Sequence, residues 1–146
     1  MKYIGIDPGI NGGVAIIDQF YSLTCFKCPK SPQEMAHSIK EHLDGSCVAL
    51  LEKVHSFPGQ GVVSTFTFGA NYGQWQGILS AFEIKYDLIT PKMWQQRFQP
   101  LSKEKKIRKK ELKEIAIKAF PSTKVTLYTS DAILLALYLR ESYNEQ

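Results

Sequence analysis

No apolar run in this chain approaches the ~20 residues that a membrane helix requires. No secretory leader is expected, since Asp7 falls inside what would be its apolar region and no small-residue cleavage site follows. The expected compartment is the cytoplasm, with no membrane partner. Cysteine is scarce, and Cys25, Cys28 and Cys47 are the only three. Cys25 and Cys28 have CxxC spacing, but no second pair and no nearby histidine completes a zinc site. On a strand these two thiols would point to opposite faces, so they read as small buried residues of a reducing compartment. Internal repeats are absent, and the only biased segment is a lysine run. With 146 residues, 44% hydrophobic and 22% charged, the chain is sized and composed for one folded α/β domain spanning 1–146.

What is present begins with charge. The net charge is +4, yet residues 103–113 alone carry seven basic and two acidic side chains. The remainder is close to neutral, so the basicity is local, as in a nucleic-acid footprint or a solvated helix face.

Residues 2–7, 12–18 and 21–27 read as three strands, rich in Ile, Val, Tyr and Phe and separated by short breaks. Ser31-Pro-Gln-Glu34 is a helix start with a capping box, followed by an apolar stripe of Met35, Ile39 and Leu43. Cys47–Glu52 is a nearly continuous apolar run, as in a central strand covered on both faces. A Pro- and Gly-containing loop, Lys53–Gly61, leads to a helix over 62–82. There Gly69, Gly73, Gly77 and Ala81 recur every fourth residue. Each interior glycine costs a helix about 1 kcal/mol, so this ridge predicts close packing on the sheet or on another helix, with a second subunit as a further surface. A strand over 85–89 follows, then a short helix from Pro91 through Arg97 with Met93 and Trp94 as apolar contacts. A helix over 103–119 has Ile107, Leu112, Ile115, Ala116, Ala119 and Phe120 as its apolar residues. A last helix runs from about Ser130 to Tyr143. The order βββαβαβααα predicts a five-stranded mixed sheet flanked by helices on both faces.

Within that order three acids stand at the ends of core elements. Asp7 ends the first strand before a glycine-rich turn, Glu52 ends the fourth, and Asp131 heads the last helix. Singly, each suits a turn former, a solvated strand end or a helix-dipole residue. Jointly they suit a divalent-metal phosphodiesterase site, because Mg²⁺ takes hard oxygen ligands and keeps waters. The turn Pro8–Gly13 would add space and free N–H groups for a phosphate. His55, Phe57 and Gln60, in the loop after Glu52, are candidate DNA contacts, and so is Lys53 beside it, unless it is only an outward-facing sheet residue.

The motifs Gly5-Ile-Asp-Pro-Gly9 with Gly12-Gly13, Leu51-Glu-Lys-Val-His-Ser-Phe-Pro-Gly-Gln-Gly61, Phe66-Thr-Phe-Gly69, Gly73-Gln-Trp-Gln-Gly-Ile-Leu79, Leu88-Ile-Thr-Pro-Lys-Met-Trp94 and Asp131-Ala-Ile-Leu-Leu-Ala136 occur in that order. In them the chain resembles a RuvC-type Holliday junction resolvase, of phage type, in the RNase H-like superfamily. The resemblance implies a homodimeric, Mg²⁺-dependent endonuclease, with Mn²⁺ as a substitute. Such an enzyme nicks four-way DNA junctions symmetrically and leaves 5′-phosphate ends. It implies Asp7, Glu52 and Asp131 as catalytic metal ligands and helix 62–82 as the dimer helix. It also implies a DNA-binding basic face drawn from Lys103, Lys105, Lys106, Arg108, Lys109, Lys110 and Lys113. One departure stands out. The family's fourth acid, shortly before the last, is missing, since residues 127–130 are Leu-Tyr-Thr-Ser. That departure keeps a branched-DNA-binding protein with weak or lost catalysis as an alternative. An RNase H-like RNA-processing nuclease is another.

Overall fold

The computed structural model describes all 146 residues, Met1–Gln146. Five strands form one sheet: β1 (Lys2–Asp7), β2 (Gly13–Ile17), β3 (Leu23–Lys27), β4 (Cys47–Glu52) and β5 (Lys85–Ile89), in the spatial order β3-β2-β1-β4-β5. The first three make an antiparallel meander, and β4 and β5 join parallel to β1. The helices are α1 (Pro32–Lys40), α2 (Val62–Ala81), α3 (Pro91–Gln95), α4 (Lys105–Ala119) and α5 (Ser130–Asn144). This is the mixed sheet expected from the element order. None of the helices is long and apolar enough to cross a membrane.

Period-2 alternation divides the apolar side chains between two cores. Tyr3, Ala15, Ile17, Val48, Leu50 and Ile89 face the layer of α3, α4 and α5. Ile4, Ile6, Val14, Ile16, Ala49 and Leu51 face α1 and α2. Both central strands are covered on both sides, which is why β4 reads as an unbroken apolar run. Cys25 packs on the first core and Cys28 in the second, so the CxxC pair is split across the sheet. The first turn of α1 carries the full reciprocal capping box of Ser31 and Glu34.

Helix α5 lies across β1, β2 and β4 and is buried along most of its length. Its approach to β1 is close enough that a Cβ at Gly5 would run into the Ala132 carbonyl oxygen and approach the Ala136 nitrogen and the Leu135 side chain. Glycine is therefore required there by space.

Three expectations need correction. A Cβ at Gly69, Gly73 or Gly77 would meet nothing, so the small-residue ridge of α2 packs on neither the sheet nor another helix of this chain. It faces outward, continuing a surface on which Val62, Val63 and Phe66 are 79–86% exposed. Ile107 is exposed, because the contact stripe of α4 settles on Leu112 and Ala116. Helix α1 ends at Lys40, and Leu43 packs on the core from the turn that follows.

Gly5→Ala should cost about 3 kcal/mol, the upper part of the range for overpacking a dense site. The thermal midpoint should fall by roughly 6–12 °C in a chain of this size, read by circular dichroism.

Candidate active site

Alternation along the two central strands places the acids. Asp7 follows Tyr3 and Gly5, and Glu52 follows Val48 and Leu50, so both belong to the face covered by α5. The strands run parallel with Ile6 opposite Leu51, which makes Asp7 and Glu52 the next residues at the same sheet end. From Leu135 at the Gly5 crossing, the four residues back to Asp131 cover about 6 Å along α5, and two residues on along β1 cover about 6.6 Å. Asp131 therefore arrives beside Asp7.

The electrostatics agree with that placement. Burial pushes Asp7 well above the usual carboxylate range, and the negative charges of Glu52 and Asp131 push it further. Burial raises Glu52 from its ordinary 4.5 to about 7; the Trp94 hydrogen bond opposes the rise, while Asp131 adds to it. Burial raises Asp131 as well, against Lys109 and Arg108. Three acids that repel one another behind a desolvating wall form a hard-oxygen donor set with a deficit of positive charge. That chemistry fits a divalent cation. The side chains are not drawn into a finished ligand shell, since no three His, Cys, Asp or Glu residues meet closely enough to form one.

Among the basic residues, Lys109 is the one whose charge reaches all three acids. Arg108 acts on Asp131 and donates to the carbonyls of Ser102 (3.2 Å) and Lys103 (3.0 Å), which fixes the turn before α4. Lys103, Lys105, Lys106, Lys110 and Lys113 perturb none of the three acids, and the first four are exposed.

Lys53 is exposed while its backbone N–H donates to Ile89 across β5. His55 and Phe57 are exposed and pack on each other with ring centroids 4.6 Å apart, so Phe57 is not buried against α2. The Gln60 side chain accepts from the Phe57 N–H at 3.2 Å and is occupied within the loop.

The turn after Asp7 also departs from expectation. Its N–H groups are partly spent: Gly12 donates to the Gly9 carbonyl, and Gly9 donates to Asn71 Oδ1 of α2 at 2.7 Å. Gly9 has φ +109° and sits under the Phe68 ring, a conformation and a clearance that call for glycine. Asn71 and Phe68 therefore anchor the acidic turn. Helix periodicity alone showed them only as two more residues of α2. Trp94, expected as an apolar contact, is fully buried and donates its indole N–H to Glu52 Oε2 at 2.6 Å.

In the stretch without the fourth acid, the Thr129 hydroxyl is engaged in its own turn, accepting from the Thr126 N–H at 3.1 Å. Ser130 is buried. Tyr128 lies beneath the Lys27 ammonium, 4.1 Å from its ring centroid.

The sheet order and the two helical layers define an RNase H-like fold. Solved structures with this fold include Thermus thermophilus RuvC in complex with Holliday junction substrate. It matches at TM-score 0.68 and 12% identity, over 99% of this chain and 96% of that one. A further Thermus thermophilus RuvC structure matches at TM-score 0.65 and 12% identity over the same shares. No family model matches the sequence, and no curated protein does.

The raised acids predict a pH dependence. In the window from about 4.5 to about 7, folded Glu52 holds a proton that the unfolded chain releases. Stability without cation is therefore greatest below that window and falls as pH rises through it. Thermal melts from pH 5 to 8 should show this decline. Glu52→Gln should flatten it, and millimolar Mg²⁺ or Mn²⁺ should offset it at the alkaline end.

Proposed function

We propose that this chain is a structure-selective DNA endonuclease that resolves four-way junctions and leaves 5′-phosphate ends. The observation that supports the reading is the placement of Asp7 and Glu52 at one end of the sheet and of Asp131 in the first turn of α5, with charge effects linking the three and Lys109 opposing them, in a RuvC-like fold. That the solved neighbour holds a Holliday junction supports a branched DNA substrate.

Asp7, Glu52 and Asp131 would hold Mg²⁺, with Mn²⁺ substituting; a bound pair of such ions supplies an activated water and neutralises the leaving oxygen. Lys109 draws the scissile phosphate toward the carboxylates. Lys103, Lys105, Lys106, Lys110 and Lys113 form the outer basic surface that tracks the backbone, and Arg108 shapes the turn they spring from. Lys53 and His55 flank the strand end. The exposed ring of Phe57 is available to stack on a base at the junction centre. Gln60 keeps the loop in shape.

Paired cuts require two sites related by a two-fold axis. The outward ridge Gly69-Gly73-Gly77 with Val62, Val63 and Phe66 supports a homodimer through α2, because it is apolar and free of bulk where a second helix would lie.

A second reading rests on the stretch 127–130. With no acid there and Thr129 internally bonded, the chain would bind branched DNA and cleave it weakly or not at all.

Divalent-dependent nicking of a synthetic four-way junction separates the two. The expected result is paired nicks in the unaltered protein, abolished by Asp7→Asn with binding retained. Intact junctions in both Mg²⁺ and Mn²⁺ would leave only the binding reading. A requirement for a ribose 2′-OH would point instead to RNA. Lys109→Ala should reduce cleavage far more than binding, whereas Lys105→Ala and Lys110→Ala should mainly weaken binding and lower its salt slope. Sedimentation at micromolar concentration should show a dimer, and Phe66→Glu should shift it to monomer.

A further inference from the structure

Glu52 makes one side-chain hydrogen bond, and its donor is buried. Trp94 Nε1 lies 2.6 Å from Oε2, and the indole has no solvent exposure. The ring is held on several sides. Thr90 and Pro91 start the short helix that carries it, with Thr90 capping the Met93 N–H. Phe98 meets it edge-on at 6.1 Å. The next turn is tied to α5 by Arg97, which pairs with Glu141 and Glu145 and lies over Tyr138. A rigid indole with one N–H and no acceptor can occupy one carboxylate oxygen only. A flexible amide or a lysine would place no such limit. Buried tryptophan N–H groups usually find a partner; that of Trp75 has none, whereas Trp94 and the acid satisfy each other.

Resting on the cation-site reading of Glu52, we propose that Trp94 is the positioning residue of the acidic site: its indole N–H fixes Oε2 of Glu52 and leaves the other oxygen for the divalent cation. Donors of this kind, one layer behind a metal ligand, orient it, and their loss typically weakens metal binding about 10–100-fold.

The test uses Mn²⁺ and the DNA-free protein, so it reads binding rather than cleavage. Trp94→Phe keeps an aromatic ring and removes the N–H. Its Mn²⁺ affinity, by calorimetry or by the electron paramagnetic resonance of free Mn²⁺, should fall at least tenfold. Phe98→Leu loosens the same packing while keeping the N–H, and its affinity should stay within twofold of the unaltered protein. Should Trp94→Phe fold poorly, the unaltered protein still decides. The Trp94 indole ¹⁵N–H resonance, assigned in Trp75→Phe, should move on adding Mg²⁺ and should move again in Glu52→Gln. Equal Mn²⁺ affinity in Trp94→Phe and the unaltered protein would overturn the positioning role and leave the cation site standing. Equal weakening in Phe98→Leu would overturn it too, reducing Trp94 to packing. An indole resonance indifferent to both Mg²⁺ and Glu52→Gln would have the same meaning. Failure of the unaltered protein to bind Mn²⁺ would overturn the cation site and this proposal together.

Discussion

The crossing of α5 over β1 governs the rest of the molecule. Without a side chain at Gly5, helix backbone and strand backbone come close enough to interlock, and the Ala132 carbonyl occupies the space where a Cβ would stand. That contact sets both the depth and the register of α5. Because one helical turn nearly matches two strand residues in length, the same contact brings Asp131 level with Asp7. The parallel pairing of β1 with β4 then adds Glu52 from the neighbouring strand. A single steric fit thus aligns elements more than a hundred residues apart in the sequence.

The site built on this fit stores repulsion. Burial raises all three acids, the charges of their neighbours raise Asp7 and Glu52 further, and the nearby Lys109 only partly compensates. Such a cluster works against folding unless positive charge arrives from outside. The surroundings hold the acids in place despite that cost. Asn71 and Phe68 anchor the turn after Asp7, Trp94 binds Glu52, and the buried length of α5 carries Asp131. These anchors come from both layers of helices, so the site draws on each core.

Most of the scaffold was legible in the amino-acid order, because it follows from alternation and capping. The split of Ile4 and Ile6 from Tyr3, the covered run of β4 and the capping box at Ser31 are local patterns with one physical solution. The three acids were legible because each stands where a strand ends or a helix begins. The anchoring residues were not. Trp94 and Phe68 look like any apolar helix residue, and their partners lie 42 and 59 positions away in the chain. The α2 ridge was legible as a feature and misjudged in direction, since spacing shows that small residues share a face and not what the face meets. The lysine run showed a basic patch, while the choice of Lys109 within it depends on how α4 rolls against α5.

Because neighbours along each strand belong to opposite cores, the length of β1 cannot drift by small steps. Loss or gain of one residue between the Gly5 crossing and Asp7 would turn the carboxylate to the α1–α2 side and expel an isoleucine from its core. A change of two would restore the face but carry the acid about 6.6 Å past Glu52. Insertions and deletions are therefore forbidden in this stretch of the chain. The exposed hairpin bend at Phe20, which carries no such parity and no part of the site, is where the length of this protein is free to vary.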